Sequence, residues 1–388
     1  MHDLGTSLRE REPEQTLSLV EPYLDVLGID GVIEHRGAVG IYIFEVVRRN
    51  ACSGYLNLGK GFTPMAAQAS AIMEAVEMSL VEMPLVSGLL AQPGDAERIV
   101  RFRTPTPDGS SHPNPSPQYV LPAENLTSGA SCYVLDIDIF FHKAFASGAP
   151  QTSLTNGLAS GNTEDEAILH SLYELVERDA IYMVQCGHWA AQPISPLSLH
   201  VKAIDQFYGS FVSDGNLLQL SLLSSGTSAV VFEASIYLPV SNGDFCRFQG
   251  WGCNVDPLIA SRRAIAEAIQ VWRIDDALKE RLIPVGRRRG GLAVAPGVYE
   301  AVASSELFTR PLSFWYLHGL SHDACPIPSH LRASVPLDLT PGLLWRRILD
   351  ELSCSRSASV FCVRLSPDEF PVHVLRCFSP SLQCPNWL

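Results

Sequence analysis

The chain has 388 residues, 46% of them hydrophobic and 18% charged, and a formal net charge of −13. This suits a globular protein of one large domain or two ordinary ones, and the negative charge opposes a phosphate backbone, so no nucleic-acid partner is expected. No run of 18 apolar residues occurs, so no membrane span is expected, and the polar N-terminus MHDLGTSLREREPEQT lacks the apolar stretch of a signal peptide, so the expected location is the cytoplasm.

In chain order, IYIFEVVRRN (41–50) predicts a strand, rich in β-branched and aromatic residues. SGYLNLGKG (53–61) predicts a second, and a helix follows from about Pro64 to Leu80. RTPTPDGSSHPNPSPQ (103–118) predicts an exposed Pro/Ser-rich loop. SCYVLDIDIFFHKAF (131–145) reads as extended. NGLASGNT then leads into a helix that contains EAILHSLYELVER (166–178). In it Ile168, Leu169, Leu172, Leu175 and Val176 share an apolar arc, and Glu166, His170, Tyr173, Glu174 and Glu177 the opposite one. DFCRFQGWG (244–252) predicts a strand, followed by a helix from about Pro257 to Ala277. The run Arg287–Arg288–Arg289 reads as a solvated loop or as a contact for phosphate, substrate or partner. ASVFCVRLS (358–366) and PVHVLRC (371–377) are the last predicted strands. Mixed strands and helices throughout define the class as α/β (α+β). Ten cysteines include no C-x-x-C pair, so neither a zinc knuckle nor a thioredoxin-like site is indicated, and reduced thiols are expected.

Three of these segments share one plan: strand, glycine-containing turn, cap, helix. The expected caps are Thr63 before Pro64, Thr163 with Glu166 completing a capping box, and Asp256 before Pro257. Seven residues after each cap a polar triple begins at i, i+4, i+7: Ser70, Glu74, Glu77; His170, Glu174, Glu177; Arg263, Glu267, Gln270. That spacing stacks three side chains on one helix face. Taken singly, each is an amphipathic helix with a solvated face. The recurrence, with carboxylates and almost no lysine, points instead to faces converging on one cleft. Such carboxylates cannot all stay ionised without compensation, and Mg²⁺ with a polyphosphate supplies it. The turns GKG (59–61) and GNT (161–163) offer amides to phosphate, and Lys60 and Arg178 add positive charge. No Walker A, H-R-D or D-F-G motif is present.

At these residues the sequence resembles the YcaO family of ATP-dependent peptide-backbone-modifying enzymes. Three blocks carry the resemblance: LGKGFTPMAAQASAIMEAVE (58–77), NGLASGNTEDEAILHSLYELVERDA (156–180) and GWGCNVDPLIASRRAIAEAIQVWR (250–273). The resemblance implies a single domain over 1–388, with a strand-containing N-terminal region (1–55) and a C-terminal tail (367–388). It implies mixed sheets flanked by helices and a non-Walker site for ATP and Mg²⁺. It places Glu74, Glu77, Glu166, Glu174, Glu177 and Glu267 at metal positions. Ser70, Asn162, Arg178, Arg263 and Gln270, with Lys60, fall at or near the nucleotide. Glu74, Glu174, Glu177 and Arg178 form the implied catalytic set, and His170 receives no role. The implied chemistry is phosphorylation of a backbone amide oxygen in a ribosomally made peptide or protein. The tail SPSLQCPNWL lacks P-x-P-x-P, common in azoline-forming members. The N-terminal region and the wording NGLASGNT resemble thioamide-forming members that work with a separate TfuA-type sulfur-delivery protein. An azoline or macroamidine product, a leader-peptide-binding partner and a homodimer stay open by the same resemblance. Outside it stand a non-catalytic scaffold of similar sequence and an unrelated metal-dependent phosphate hydrolase.

Overall fold

The computed structural model describes residues 2–5, 7–38, 40–49, 51, 56–92, 97–100, 119–141, 155–199, 202–239, 244–285, 312–313, 325–328 and 339–385. A short antiparallel hairpin, β1 (His2–Asp3) and β2 (Leu8–Arg9), opens the chain, and α1 (Pro13–Val20) follows. β3 (Ile29–Ala38), β4 (Ile41–Arg48) and β5 (Asn57–Gly61) form an antiparallel sheet in that order, and α2 (Pro64–Glu82) packs on it. Next come β6 (Leu89–Leu90), β7 (Ile99–Val100), β8 (Tyr119–Asn125), β9 (Ala130–Leu135) and β10 (Leu158–Gly161), which leads into α3 (Glu164–Gln185). β11 (Ala191–Ile194), α4 (Lys202–Ser213), β12 (Leu217–Leu223), β13 (Val230–Pro239), β14 (Asp244–Asn254), α5 (Pro257–Val285) and β15 (Leu312–Ser313) follow. α6 (Pro341–Arg356), β16 (Phe361–Arg364) and β17 (His373–Phe378) close the described chain.

The seven-stranded sheet runs β10-β17-β16-β8-β9-β7, with β6 added on β8; the five-stranded sheet runs β11 to β15 in sequence order. Among the described residues β10 pairs only with β17, which comes late in the chain. Among the described residues three apolar cores fill the spaces between layers. One lies among α2, its sheet and the seven-stranded sheet, with Ala71, Ala75, Val134 and Val374. A second joins α3 and α6 through Leu172, Val176 and Ile348. The third lies under α5 and holds Phe232, Ile236, Ala264 and Ile269. Among the described residues no helix is long and apolar enough to cross a membrane.

Several expectations change. The extended reading of 131–145 holds only to Leu135; Asp136–Asp138 is a 3₁₀ turn. Ile139, Phe140 and Phe141 are all buried, so this run plunges into the core instead of alternating across a sheet face. Residues 142–145, the loop 103–118 and Arg287–Arg289 lie outside the described residues. The third acidic-face helix continues to Val285 instead of ending near 277, since nothing before Pro284 interrupts it. Tyr173 leaves the polar arc: it packs in the second core, and its hydroxyl accepts from the Val255 amide at 3.4 Å. Helices α1, α4 and α6 were not anticipated.

Candidate functional site

The three strand–turn–helix units start as their caps predict. Thr63 Oγ1 accepts from the Ala66 amide at 3.1 Å, Thr163 Oγ1 from Glu166 at 3.2 Å, and Asp256 Oδ1 from Leu258 at 2.8 Å. The glycines of these units also have a packing role. A Cβ on Gly59 would stand 2.1 Å from the Ala67 carbonyl oxygen, one on Gly161 2.4 Å from the Ala167 nitrogen, and one on Gly250 2.2 Å from the Ala268 nitrogen. In each unit glycine on the strand and alanine on the helix let the helix lie directly against its own strand. The polar face then stands at a fixed height beside the strand end.

The units interlock side chain to backbone and side chain to side chain. Lys60 on β5 reaches Glu267 on α5 at 2.6 Å and Gln270 Oε1 at 3.4 Å. Ser160 on β10 donates to Glu77 on α2 at 2.5 Å. Tyr173 on α3 meets the start of α5 through Val255. The result is one cleft of about 320 Å³. Its walls include Lys60, Ser70, Glu74, Glu77, Asn162, Glu166, Glu174, Glu177, Arg178, Arg263 and Glu267, so all but one of the sequence-derived site residues line it. The exception, Gln270, stands behind Lys60. Ser70 is exposed, at the rim.

The cleft is crowded with carboxylates taken out of water. Burial pushes Glu74 up to about 8, with Glu77 adding to the rise and Lys60 opposing it. Burial raises Glu77 to about 7 against the Ser160 hydroxyl bond, and Glu174 to about 7 against Arg178. Glu177 rises for the same reason, again opposed by Arg178. Burial also acts upward on Glu267, but Lys60 and Arg178 outweigh it and hold this carboxyl below its ordinary value. Arg178 stands 3.7 Å from Glu174 and 3.8 Å from Glu177, beyond hydrogen-bond reach, and its Nη1 is buried without a hydrogen-bond partner.

Glu166 departs from its expected part. Its carboxylate does not close a capping box. It accepts from Arg9 Nη1 at 2.9 Å, from the Glu10 amide at 3.1 Å and from Asn162 Nδ2 at 3.3 Å. It is thus the anchor of an N-terminal strap, formed by the β1–β2 hairpin and the start of α1. Thr16 bonds Asn162 at 2.9 Å, Glu10 accepts from Thr163, and Arg262 holds Asp3 at 3.3 Å. Arg9 and Arg11 thereby enter the cleft wall. Sequence reasoning missed both: this stretch reads only as part of a polar N-terminus, and the fold carries it across to residues more than 150 positions away.

The family model described as YcaO cyclodehydratase, ATP- and Mg²⁺-binding, matches residues 58–383. The chain belongs to the YcaO family, whose members are ATP-dependent peptide-modifying enzymes with ATP and Mg²⁺ as cofactors. A protein of Rhizobium leguminosarum bv. trifolii, encoded in the region 3′ of tfuA, is 27% identical over 394 residues, 96% of this chain and 87% of its own. YcaO from Methanopyrus kandleri, bound with AMPPCP and Mg²⁺, shares the fold at a TM-score of 0.66 and 20% identity, over 97% of this chain and 92% of that one. A heterocyclase in complex with substrate and cofactor does so at 0.69 and 16%, over 97% of this chain and 53% of its own. The strap residues precede the matched stretch.

The donor set fits both cofactors. Hard oxygen donors suit Mg²⁺, and three carboxyls driven to about 7 or 8 mark a site short of positive charge. Among the described residues no three of these groups close around one point as a ready metal cage. Mg²⁺ is usually held by one or two carboxylates together with nucleotide phosphates, which is the arrangement a spread set allows. The unpartnered Nη1 of Arg178 fits a phosphate oxygen.

Proposed function

We propose that this chain uses ATP and Mg²⁺ to activate a backbone amide in a ribosomally made peptide or protein, and that the product is a thioamide made with a separate TfuA-like partner. The observation that carries the first half is the convergence of three acidic helix faces, with Lys60, Arg178 and Arg263, on one cleft. The second half is supported by the relative encoded beside tfuA.

In this reading Glu74, Glu77, Glu174, Glu177 and Glu267 hold Mg²⁺, and Lys60, Ser70, Asn162, Arg178, Arg263 and Gln270 orient the nucleotide. Glu166 would join the metal set only by exchanging Arg9. When bound, ATP supplies the phosphoryl group that turns the amide oxygen, after attack on its carbon, into a leaving group. Arg178 balances Glu174 and Glu177, and its Nη1 would bind a phosphate oxygen of the nucleotide. Lys60 keeps Glu267 ionised and ready to bind. Walls set by the strap keep bulk water from the phosphoryl group.

Calorimetry with Mg²⁺ and AMPPCP tests the site. Wild type and Glu97→Ala, a change at an exposed position, are expected to bind, and Glu174→Ala to lose binding. No binding by folded wild type would favour a scaffold. Mass spectrometry of a substrate peptide then separates products: a thioamide exchanges oxygen for sulfur, whereas an azoline loses water.

A further inference from the structure

His170 has no part in the metal or nucleotide set inferred above, yet its ring lines the cleft midway between Glu166 and Glu174 on α3. Its Nδ1 lies 3.1 Å from Arg9 Nη2. A guanidinium carries only N–H donors, so Nδ1 accepts and the ring proton sits on Nε2. The Ser160 carbonyl lies close enough to the ring to favour its proton, but no hydrogen bond of full geometry to a described residue occupies Nε2, and the ring lines the cleft.

We propose that His170 is a neutral Nε2–H donor to a phosphate oxygen of the bound Mg²⁺–nucleotide, and that Arg9 is the positioning residue that fixes its tautomer. The proposal rests on the nucleotide reading of the cleft and adds a ligand contact to it. Arg9 suits the task because both terminal nitrogens are committed: Nη1 to Glu166 and to the Ser160 carbonyl at 3.2 Å, Nη2 to His170. The charged form of the ring is disfavoured by burial first, then by Arg9 and Arg263, with Lys60 acting the same way; the Ser160 carbonyl opposes these, and Glu166 and Glu174 flank the ring by one turn. A neutral donor is useful here because it binds an anion without competing with Mg²⁺ for charge.

The test is nitrogen NMR of the full chain with ¹⁵N-labelled histidine, together with Mg²⁺–AMPPCP binding. The signal lost in His170→Gln assigns the residue. It is expected to show protonated Nε2 and bare Nδ1 at neutral pH, and its Nε2–H resonance should move on nucleotide binding. Arg9→Gln should abolish the tautomer preference. In binding, His170→Phe should weaken the nucleotide at least tenfold, and His170→Gln, which keeps an N–H donor, should stay within about threefold of wild type. Thermal unfolding checks that both variants fold, and the glutamine variant carries the comparison if the phenylalanine variant does not: a Gln variant tenfold weaker would overturn the donor role. A proton on Nδ1, or an Nε2–H unmoved by a nucleotide that wild type binds, overturns the His170 assignment alone. Failure of wild type to bind nucleotide overturns both it and the reading beneath it.

Discussion

Loading the cleft with excess Mg²⁺ and AMPPCP at pH 7 is expected to release about two protons from Glu74, Glu77 and Glu174, with any proton held by the likewise raised Glu177 added to them. At that pH Glu74, near 8, keeps about nine-tenths of a proton, while Glu77 and Glu174, near 7, keep about half each. A bound cation reverses the cause of these shifts, since it supplies the charge that burial withheld, and the carboxyls ionise. The assay is calorimetry in buffers of different ionisation enthalpy, with Mg²⁺ high enough that the free nucleotide is already complexed. The slope of observed against buffer enthalpy counts protons. Glu74→Gln should lower the count by about one, and at pH 9, where Glu74, Glu77 and Glu174 are ionised beforehand, their share of the release should fall close to zero. Tight binding at pH 7 with no buffer dependence would refute the picture of neutral carboxyls waiting for a metal.

Metal-free stability should follow the same shifts. Carboxyls raised in the folded state contribute stability that is present below their unfolded value of 4.5 and lost as pH climbs through 7 and 8, so the melting temperature without Mg²⁺ should fall from pH 7 to 9, and Mg²⁺ should offset the fall. That window avoids His170, whose lowered folded value affects stability only at more acid pH. Away from the cleft, Arg48 meets Glu82 at 2.8 and 3.2 Å with both side chains buried, so Arg48→Met should cost about 3–5 kcal/mol in urea unfolding, with Arg48→Met/Glu82→Leu recovering most of it. A loss under about 1 kcal/mol would contradict a buried charge pair. Gly59→Ala should abolish the folded state or cost several kcal/mol, because the added methyl meets helix backbone at 2.1 Å; Gly31→Ala, with nothing within 4 Å, should be near neutral in the same assay.

What the sequence determined by itself is local and periodic. Caps at Thr63, Thr163 and Asp256 act over three residues, and the i, i+4, i+7 spacing of Ser70, Glu74 and Glu77 follows from helix geometry alone, so both are legible without the fold. The three-fold recurrence of that pattern also pointed to a shared cleft and to the need for metal. Contacts between distant segments were not legible. Only the tertiary structure decided that Arg9 reaches Glu166 and His170, that Glu166 therefore anchors a strap instead of capping its helix, and that Tyr173 turns inward to Val255. The same holds for Gly59, Gly161 and Gly250, whose meaning is the alanine backbone packed against them. A polar residue in sequence carries no mark of whether water or another chain segment will satisfy it; that choice is made by which groups the packed sheets bring within about 3 Å.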